Sequence, residues 1–181
     1  MVEPDLTPRR VSDSQVVLTQ LMEVTDANVL GNVHGGVLMR LADTAAGIAA
    51  MKHSGSVCVT VSVDQMVFRE PVHVGDLVTL RASVNDVGTT SLECGVRIEA
   101  ERIHTGETVH ASTAYFVYVA IDEQGHPTPV RPLVADTAEA EDRRAKARLR
   151  RESRMRHREE LERHRAAEAA RAAGGGAARP S

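Results

Sequence analysis

The chain has 181 residues, a length that fits one ordinary domain. Hydrophobic residues make up 42% and aromatic residues only 2%, so we expect an aliphatic core and little material for stacking nucleic-acid bases. The formal net charge of -3 argues against a generally basic nucleic-acid-binding protein.

The sequence predicts a cytoplasmic protein without a membrane span. Residues 1–10 are polar, contain Pro4 and Pro8, and lack the apolar run of a signal peptide. No stretch approaches the roughly 20 apolar residues that a spanning helix needs. Cys58 and Cys94 have no metal-ligand spacing, and we interpret both as reduced, buried residues.

Charge divides the chain into two parts. Residues 1–135 carry 9 Lys+Arg and 16 Asp+Glu, whereas residues 136–173 carry 12 and 9. The prolines that mark the boundary are Pro127, Pro129 and Pro132. The predicted organisation is a flexible N-terminus (1–13), one domain (14–134), a charged helical tail (135–173) and a disordered C-terminus (174–181). The tail is interpreted as a solvated helix, or as one that docks on another subunit or an acidic partner.

The domain is predicted to be α+β, with one helix on one face of an antiparallel sheet. Alternation of apolar and polar residues is typical of half-buried antiparallel strands. The predicted elements are a strand at 14–25, a loop at 26–36, a helix at 37–52, and strands at 57–68, 76–86, 91–103 and 108–121. Glycines at 88 and 106 indicate hairpin turns. Because a sheet of this size keeps open edges, we expect another subunit to cover them.

Helical periodicity places two sets of residues on different faces of the predicted helix. The predicted core stripe is Val37, Leu41, Ala45 and Ile48. A second face, made mostly of small residues, contains Gly36, Arg40, Asp43, Gly47 and Ala50. The amides at the helix start can stabilise a carbonyl oxygen that gains negative charge during acyl transfer.

Each candidate residue also has a purely structural interpretation. Asp43 can pair with Arg40 on the same helix face, and Asn28 can be a turn residue. His34 can be a loop histidine rather than a general base, and Gly35-Gly36 can simply allow the helix entry. The sequence contains neither a GxSxG nucleophile motif nor paired histidines at metal-ligand spacing.

The run Asp-Ala-Asn-Val-Leu-Gly-Asn-Val-His-Gly-Gly at residues 26–36, followed by Asp43, resembles the hotdog acyl-CoA hydrolases. This group includes the brain-type acyl-CoA hydrolase and bacterial proteins with a single hotdog domain. Phe-Arg-Glu-Pro-Val at 68–72, Val-Gly-Asp at 74–76 and Gly-Thr-Thr-Ser at 88–91 agree with it. The resemblance covers roughly residues 14–133.

The resemblance implies an antiparallel sheet wrapped around one long helix, in a double-hotdog dimer that is often assembled into a trimer of dimers. It implies hydrolysis of fatty acyl-CoA, with Asn28 and Asp43 contributed by different subunits and the Gly36 amide stabilising the oxyanion. Asp43 is expected to act as base or nucleophile, and Asn28 to orient water or the carbonyl. No metal and no cofactor are expected, since coenzyme A is part of the substrate and product. Expected substrate contacts are His34, Gly35, Thr60, Ser62, Arg69, Thr90 and Ser91.

Three other functions stay open at this point. They are a hotdog hydratase or dehydratase, a non-catalytic acyl-CoA-binding regulator, and a hydrolase of a non-lipid thioester such as an aryl-CoA. The sequence does not determine the preferred acyl-chain length.

Overall fold

The computed structural model describes residues 5–174. The chain divides into two compact units at Arg144. The elements are β1 (Arg9–Arg10), α1 (Val11–Ser14), β2 (Val16–Leu21), a short 3-10 helix (Val24–Asp26), α2 (Gly35–Ser54), β3 (Val57–Phe68), β4 (Leu77–Val87), β5 (Ser91–Arg102), β6 (Glu107–Ile121), β7 (Leu133–Val134) and α3 (Ala138–Gly174).

Five strands form one antiparallel sheet in the order β2-β4-β5-β6-β3, and β1 pairs with β7 in a separate parallel pair. Alternate residues of the inner strands point toward α2 and are buried, as period-two alternation requires. On β4 and β5 these are Val78, Leu80, Ala82, Val84, Leu92, Cys94, Val96 and Ile98. The predicted α+β hotdog architecture, with its C-terminal helix, is confirmed.

The buried side of α2 differs from the predicted stripe. Leu41 and Ala45 are buried as expected, but Val37 is half-buried and Ile48 is 36% exposed. The sheet instead covers a face rich in alanine: Leu38, Leu41, Ala42, Ala45, Ala46 and Ala49. Small side chains allow the helix to lie close to the sheet, so alanines displace larger residues from the contact.

Both ends of α2 have local causes. The helix begins at Gly35, with His34 as its N-cap, two residues earlier than predicted. It ends before Gly55, whose φ of +76° is the left-handed conformation that glycine adopts at little cost. The Gly55 amide donates to the Met51 carbonyl oxygen at 2.9 Å, which satisfies one terminal carbonyl.

Strand β3 lies at one edge of the sheet and carries an uncovered apolar row. Val57, Val59, Val61 and Val63 are between 41% and 60% exposed. Met39 and Met51 of α2 are also about 40% exposed. Exposed apolar residues on an open edge strand are typical of a surface that another chain covers.

Two features depart from the expected organisation. Residues 1–13 are predicted to be flexible, yet Arg9–Arg10 pairs with β7 and Val11 is buried in the core. The alternation of β5 places Glu93 on the face opposite Leu92 and Cys94, yet Glu93 is only 4% exposed. The amide of the buried Asn85 lies 3.5 Å from its carboxylate. The predicted disordered segment 174–181 falls outside the described residues, apart from Gly174.

The charged tail forms α3, a helix of 37 residues. Its larger apolar side chains, Leu149, Met155 and Leu161, are all exposed. Whether α3 docks on another subunit or an acidic partner stays a prediction, as do the domain boundaries. Among the described helices, none combines the length and apolar character that crossing a bilayer requires.

Candidate active site

Asp43 lies on the third turn of α2, where two hydroxyl groups hold its carboxylate. Its Oδ1 accepts hydrogen bonds of 2.8 Å from Thr60 Oγ1 and from the Tyr118 hydroxyl. Its Oδ2 accepts none from residues 5–174. No ion pair joins Asp43 to Arg40 within those residues, so the predicted structural role as a partner of Arg40 is wrong.

Tyr118 is the site residue that the sequence interpretation missed. It is directly opposite Thr60 in the β3–β6 register, so one cross-strand pair supplies both donors to Asp43. Burial raises the pKa of the Tyr118 phenol, and its hydrogen bond to Asp43 raises it further. The phenol therefore stays protonated and remains a donor. The alternation of β6 places residue 118 on the inner face, so a polar group at this apolar position was the available signal.

Asn28 lies in the loop before α2, and its side chain organises that loop. The Asn28 Oδ1 accepts from the backbone amides of Leu30 at 2.8 Å and Asn32 at 3.3 Å. The turn role expected for Asn28 is thus present. Because Oδ1 is engaged, the free hydrogen-bonding group of this side chain is the Nδ2 donor, which has no partner in the described chain.

His34 caps the start of α2. Its Nδ1 accepts a 2.9 Å hydrogen bond from the Gly36 amide, the group expected to stabilise the oxyanion. The Gly36 amide is therefore engaged by His34, and its expected role at the oxyanion stays a prediction. The Gly35 amide, one residue earlier, has no such bond in the described chain.

A cavity of about 300 Å³ opens beside the start of α2. It brings together Asn28, Gly35 and Arg69. A side chain at residue 35 would place Cβ only 3.2 Å from the Phe68 ring, so glycine keeps this wall close-packed. The remaining lining residues are Asn32, Val33, Leu38, Glu70, Pro71 and Val72.

The predicted site residues therefore form two groups within one chain. Asp43 and Thr60 form the first group, and Asn28, Gly35 and Arg69 form the second. Asp43 lies eight residues after Gly35 in α2, which corresponds to about 12 Å along the helix axis. His34 and Gly36 belong to neither group and are hydrogen-bonded to each other at the start of α2. The structure also places three predicted residues outside both groups, and their substrate contacts stay predictions: Ser62, Thr90 and Ser91.

A family model described as the thioesterase superfamily matches residues 30–107. The chain is 37% identical over 131 residues to the uncharacterized acyl-CoA thioester hydrolase YkhA of Bacillus subtilis, covering 72% of this chain and 76% of YkhA. The chain belongs to the hotdog acyl-CoA hydrolases of the thioesterase superfamily.

Solved structures of other acyl-CoA hydrolases share this fold. The acyl-CoA hydrolase from Staphylococcus aureus, solved with butyryl coenzyme A, coenzyme A and coenzyme A disulfide, superposes with a TM-score of 0.82 at 29% identity, covering 90% of this chain and 99% of that one. An apo-hexameric acyl-CoA thioesterase superposes with a TM-score of 0.81 at 33% identity, covering 83% and 97%. Three single-substitution variants of the Staphylococcus aureus hydrolase have also been solved. An asparagine is replaced by alanine in the first, an aspartate in the second and a threonine in the third.

Neither cysteine of this hotdog hydrolase has the properties of a nucleophile. Both are free thiols, as predicted, although Cys58 is half-buried rather than buried. Burial raises the pKa of the Cys94 thiol well above its usual range and also raises that of Cys58. A nucleophilic cysteine requires a thiolate, and burial disfavours the thiolate at both positions.

Proposed function

We propose that the chain hydrolyses fatty acyl-CoA to a free fatty acid and coenzyme A. The observation that carries this proposal is the arrangement of Asp43, whose Oδ1 is held by two hydroxyls while Oδ2 has no partner among the described residues. A carboxylate oriented in this way can accept a proton from water. Membership in the acyl-CoA hydrolases supplies the thioester substrate class.

Each active site is proposed to combine two protomers, with Asp43 from one and Asn28 and Gly35 from the other. The separation of the two groups within a single chain supports this division. The apolar row of β3 supplies a surface for the partner, since an obligate interface resembles a domain core cut in half. Hexameric relatives support a homodimer assembled as a trimer of dimers.

The hydrolysis follows from the donors and acceptors of this combined site. Asp43 Oδ2 takes a proton from water as the water oxygen attacks the thioester carbon, and the carbonyl electron pair moves onto oxygen. That oxyanion is held by Asn28 Nδ2 and the Gly35 amide, because the Gly36 amide is engaged by His34. Collapse breaks the carbon–sulfur bond, and the thiolate of coenzyme A receives the proton from Asp43. In a second route, Asp43 attacks the thioester carbon itself, and the carbon–sulfur bond breaks as the coenzyme A thiolate leaves. Water then hydrolyses the resulting anhydride, which regenerates the Asp43 carboxylate and releases the proton that the thiolate takes up.

General-base catalysis of this kind typically contributes about 10²–10⁴-fold to the rate, and one oxyanion donor contributes about 10²–10³-fold.

Arg69, at the rim of the cavity, is proposed to contact the coenzyme A end of the substrate. Both cysteines are free thiols, which supports the proposed cytoplasmic location.

Release of coenzyme A, followed with a thiol reagent across short, medium and long acyl-CoAs, tests the proposal. We expect Asp43→Ala to lose at least about 10²-fold in kcat with its oligomeric state unchanged. Arg40→Ala is the matched control, because Arg40 lies on the same helix without an ion pair to Asp43. Hydration of an enoyl-CoA without thiol release, or tight binding with neither reaction, would replace hydrolysis by one of the competing functions.

A further inference from the structure

The two oxygens of the Asp43 carboxylate have different surroundings. Oδ1 accepts from Thr60 and Tyr118, each at 2.8 Å, whereas Oδ2 accepts nothing from residues 5–174. The Tyr118 hydroxyl also lies 2.8 Å from the backbone oxygen of Asp43. One phenol therefore contacts both the main chain and the side chain of the same residue, which restricts rotation of the carboxylate.

We propose that Tyr118 is a positioning residue, which together with Thr60 reserves Oδ2 as the oxygen that exchanges the proton with water. This inference rests on the proposed function and adds to it the identity of the reacting oxygen. An oxygen that already accepts two hydrogen bonds is a poorer proton acceptor than its free neighbour. The cross-strand pair of Thr60 and Tyr118 therefore decides which face of the carboxylate reacts.

The surroundings of Tyr118 keep its hydroxyl in place. Its side chain is 2% exposed and packs beside Phe116, with ring centroids 6.3 Å apart. Gly47, one turn after Asp43, faces the tyrosine ring, and a Cβ there would lie 3.6 Å from it. A buried phenol between a helix and a sheet has little rotational freedom, so it can hold the carboxylate more firmly than the exposed Thr60 can.

Tyr118→Phe removes only the hydroxyl and keeps the ring in the core. We expect kcat for acyl-CoA hydrolysis to fall roughly 10- to 100-fold while KM changes less than about twofold, because orientation and not substrate binding is lost.

Tyr115→Phe is the matched control, because Tyr115 lies on the same strand but on the opposite face of the sheet. It should leave both kcat and KM unchanged. Thr60→Val removes the other donor to Oδ1 and should lower kcat with little change in KM, as Tyr118→Phe does. If Tyr118→Phe does not fold, as judged by thermal unfolding, Thr60→Val carries the test alone.

The outcomes separate this inference from the proposed function. If the wild type releases coenzyme A and Asp43→Ala does not, but Tyr118→Phe keeps the wild-type kcat, the positioning role is overturned. An effect of Tyr118→Phe on KM alone would overturn it as well, as would an unchanged kcat in Thr60→Val. Absence of thiol release by the wild type would instead remove the proposed hydrolase function.

Discussion

Asn28 has two roles in this account, and two substitutions separate them. Its Oδ1 accepts from the Leu30 and Asn32 amides, and its Nδ2 is proposed to hold the oxyanion. Asn28→Asp keeps an oxygen for the two loop amides but removes the Nδ2 donor. Asn28→Ala removes both the loop acceptor and the donor.

The magnitudes follow from the number of hydrogen bonds that each change removes. Loss of one oxyanion donor costs about 10²–10³-fold in kcat, so both variants should be at least about 100-fold slower than wild type. Loss of two loop hydrogen bonds, each worth about 0.5–1.5 kcal/mol, should destabilise Asn28→Ala by about 1–3 kcal/mol. The lower end of this range of destabilisation is expected because the loop around Asn28 is half-exposed. Asn28→Asp should keep the wild-type stability.

The assay pairs thiol release with urea unfolding of both variants and the wild type. We expect Asn28→Asp to be folded and slow, and Asn28→Ala to be slow and less stable. An Asn28→Asp variant with a kcat near that of the wild type would refute the donor role of Nδ2. Equal stability of Asn28→Ala and wild type would refute the structural role of Oδ1.

Two further predictions concern stability. Burial lowers the pKa of the His53 imidazole, opposed by its hydrogen bond with the Arg131 carbonyl oxygen. As the pH falls below about 6.5, the unfolded chain binds a proton at this position and the folded chain does not. In urea unfolding, the free energy of unfolding of the wild type should therefore fall by up to about 1 kcal/mol more than that of His53→Gln between pH 6.5 and 5.5. If the free energies of unfolding of the wild type and His53→Gln change equally with pH, the buried His53 is not the cause of the loss. Gly95→Ala should destabilise by about 1–3 kcal/mol, because its Cβ would lie 2.6 Å from Asn85 Nδ2, whereas Gly47→Ala, with its nearest contact at 3.6 Å, should be neutral or stabilising in the same assay.

The sheet was predictable because its inner strands alternate strictly. Leu80 and Ile98 occupy the inward positions that the period-two pattern indicates, and both are fully buried. The prediction of the buried face of α2 was less accurate, since hydrophobic periodicity gives more weight to Val37 and Ile48 than to alanines. Which helix face meets the sheet depends on how closely the two approach, and the fully buried Ala42 and Ala46 have side chains small enough for a close approach.

The site was predictable only in part. The catalytic roles of Asn28 and Asp43 were predicted from the resemblance to the hotdog hydrolases, and these roles stay proposals. The bond between His34 and Gly36 is local, and an N-cap histidine accepting from the second helical amide could have been considered from the spacing alone. The contact of Tyr118 with Asp43 joins residues 75 positions apart, which no local pattern reveals.

Each active site is proposed to combine Asp43 of one protomer with Asn28 of another. Mixing two inactive variants tests this arrangement: Asn28→Ala and Asp43→Ala are denatured together in equal amounts, refolded, and assayed for thiol release. Half of the dimers then contain one of each chain, and each such dimer has one complete site of two, so we predict about one quarter of the wild-type rate. If the mixture stays as inactive as each variant alone while the mixed dimers are shown to form, the two residues act within a single chain and the account is contradicted.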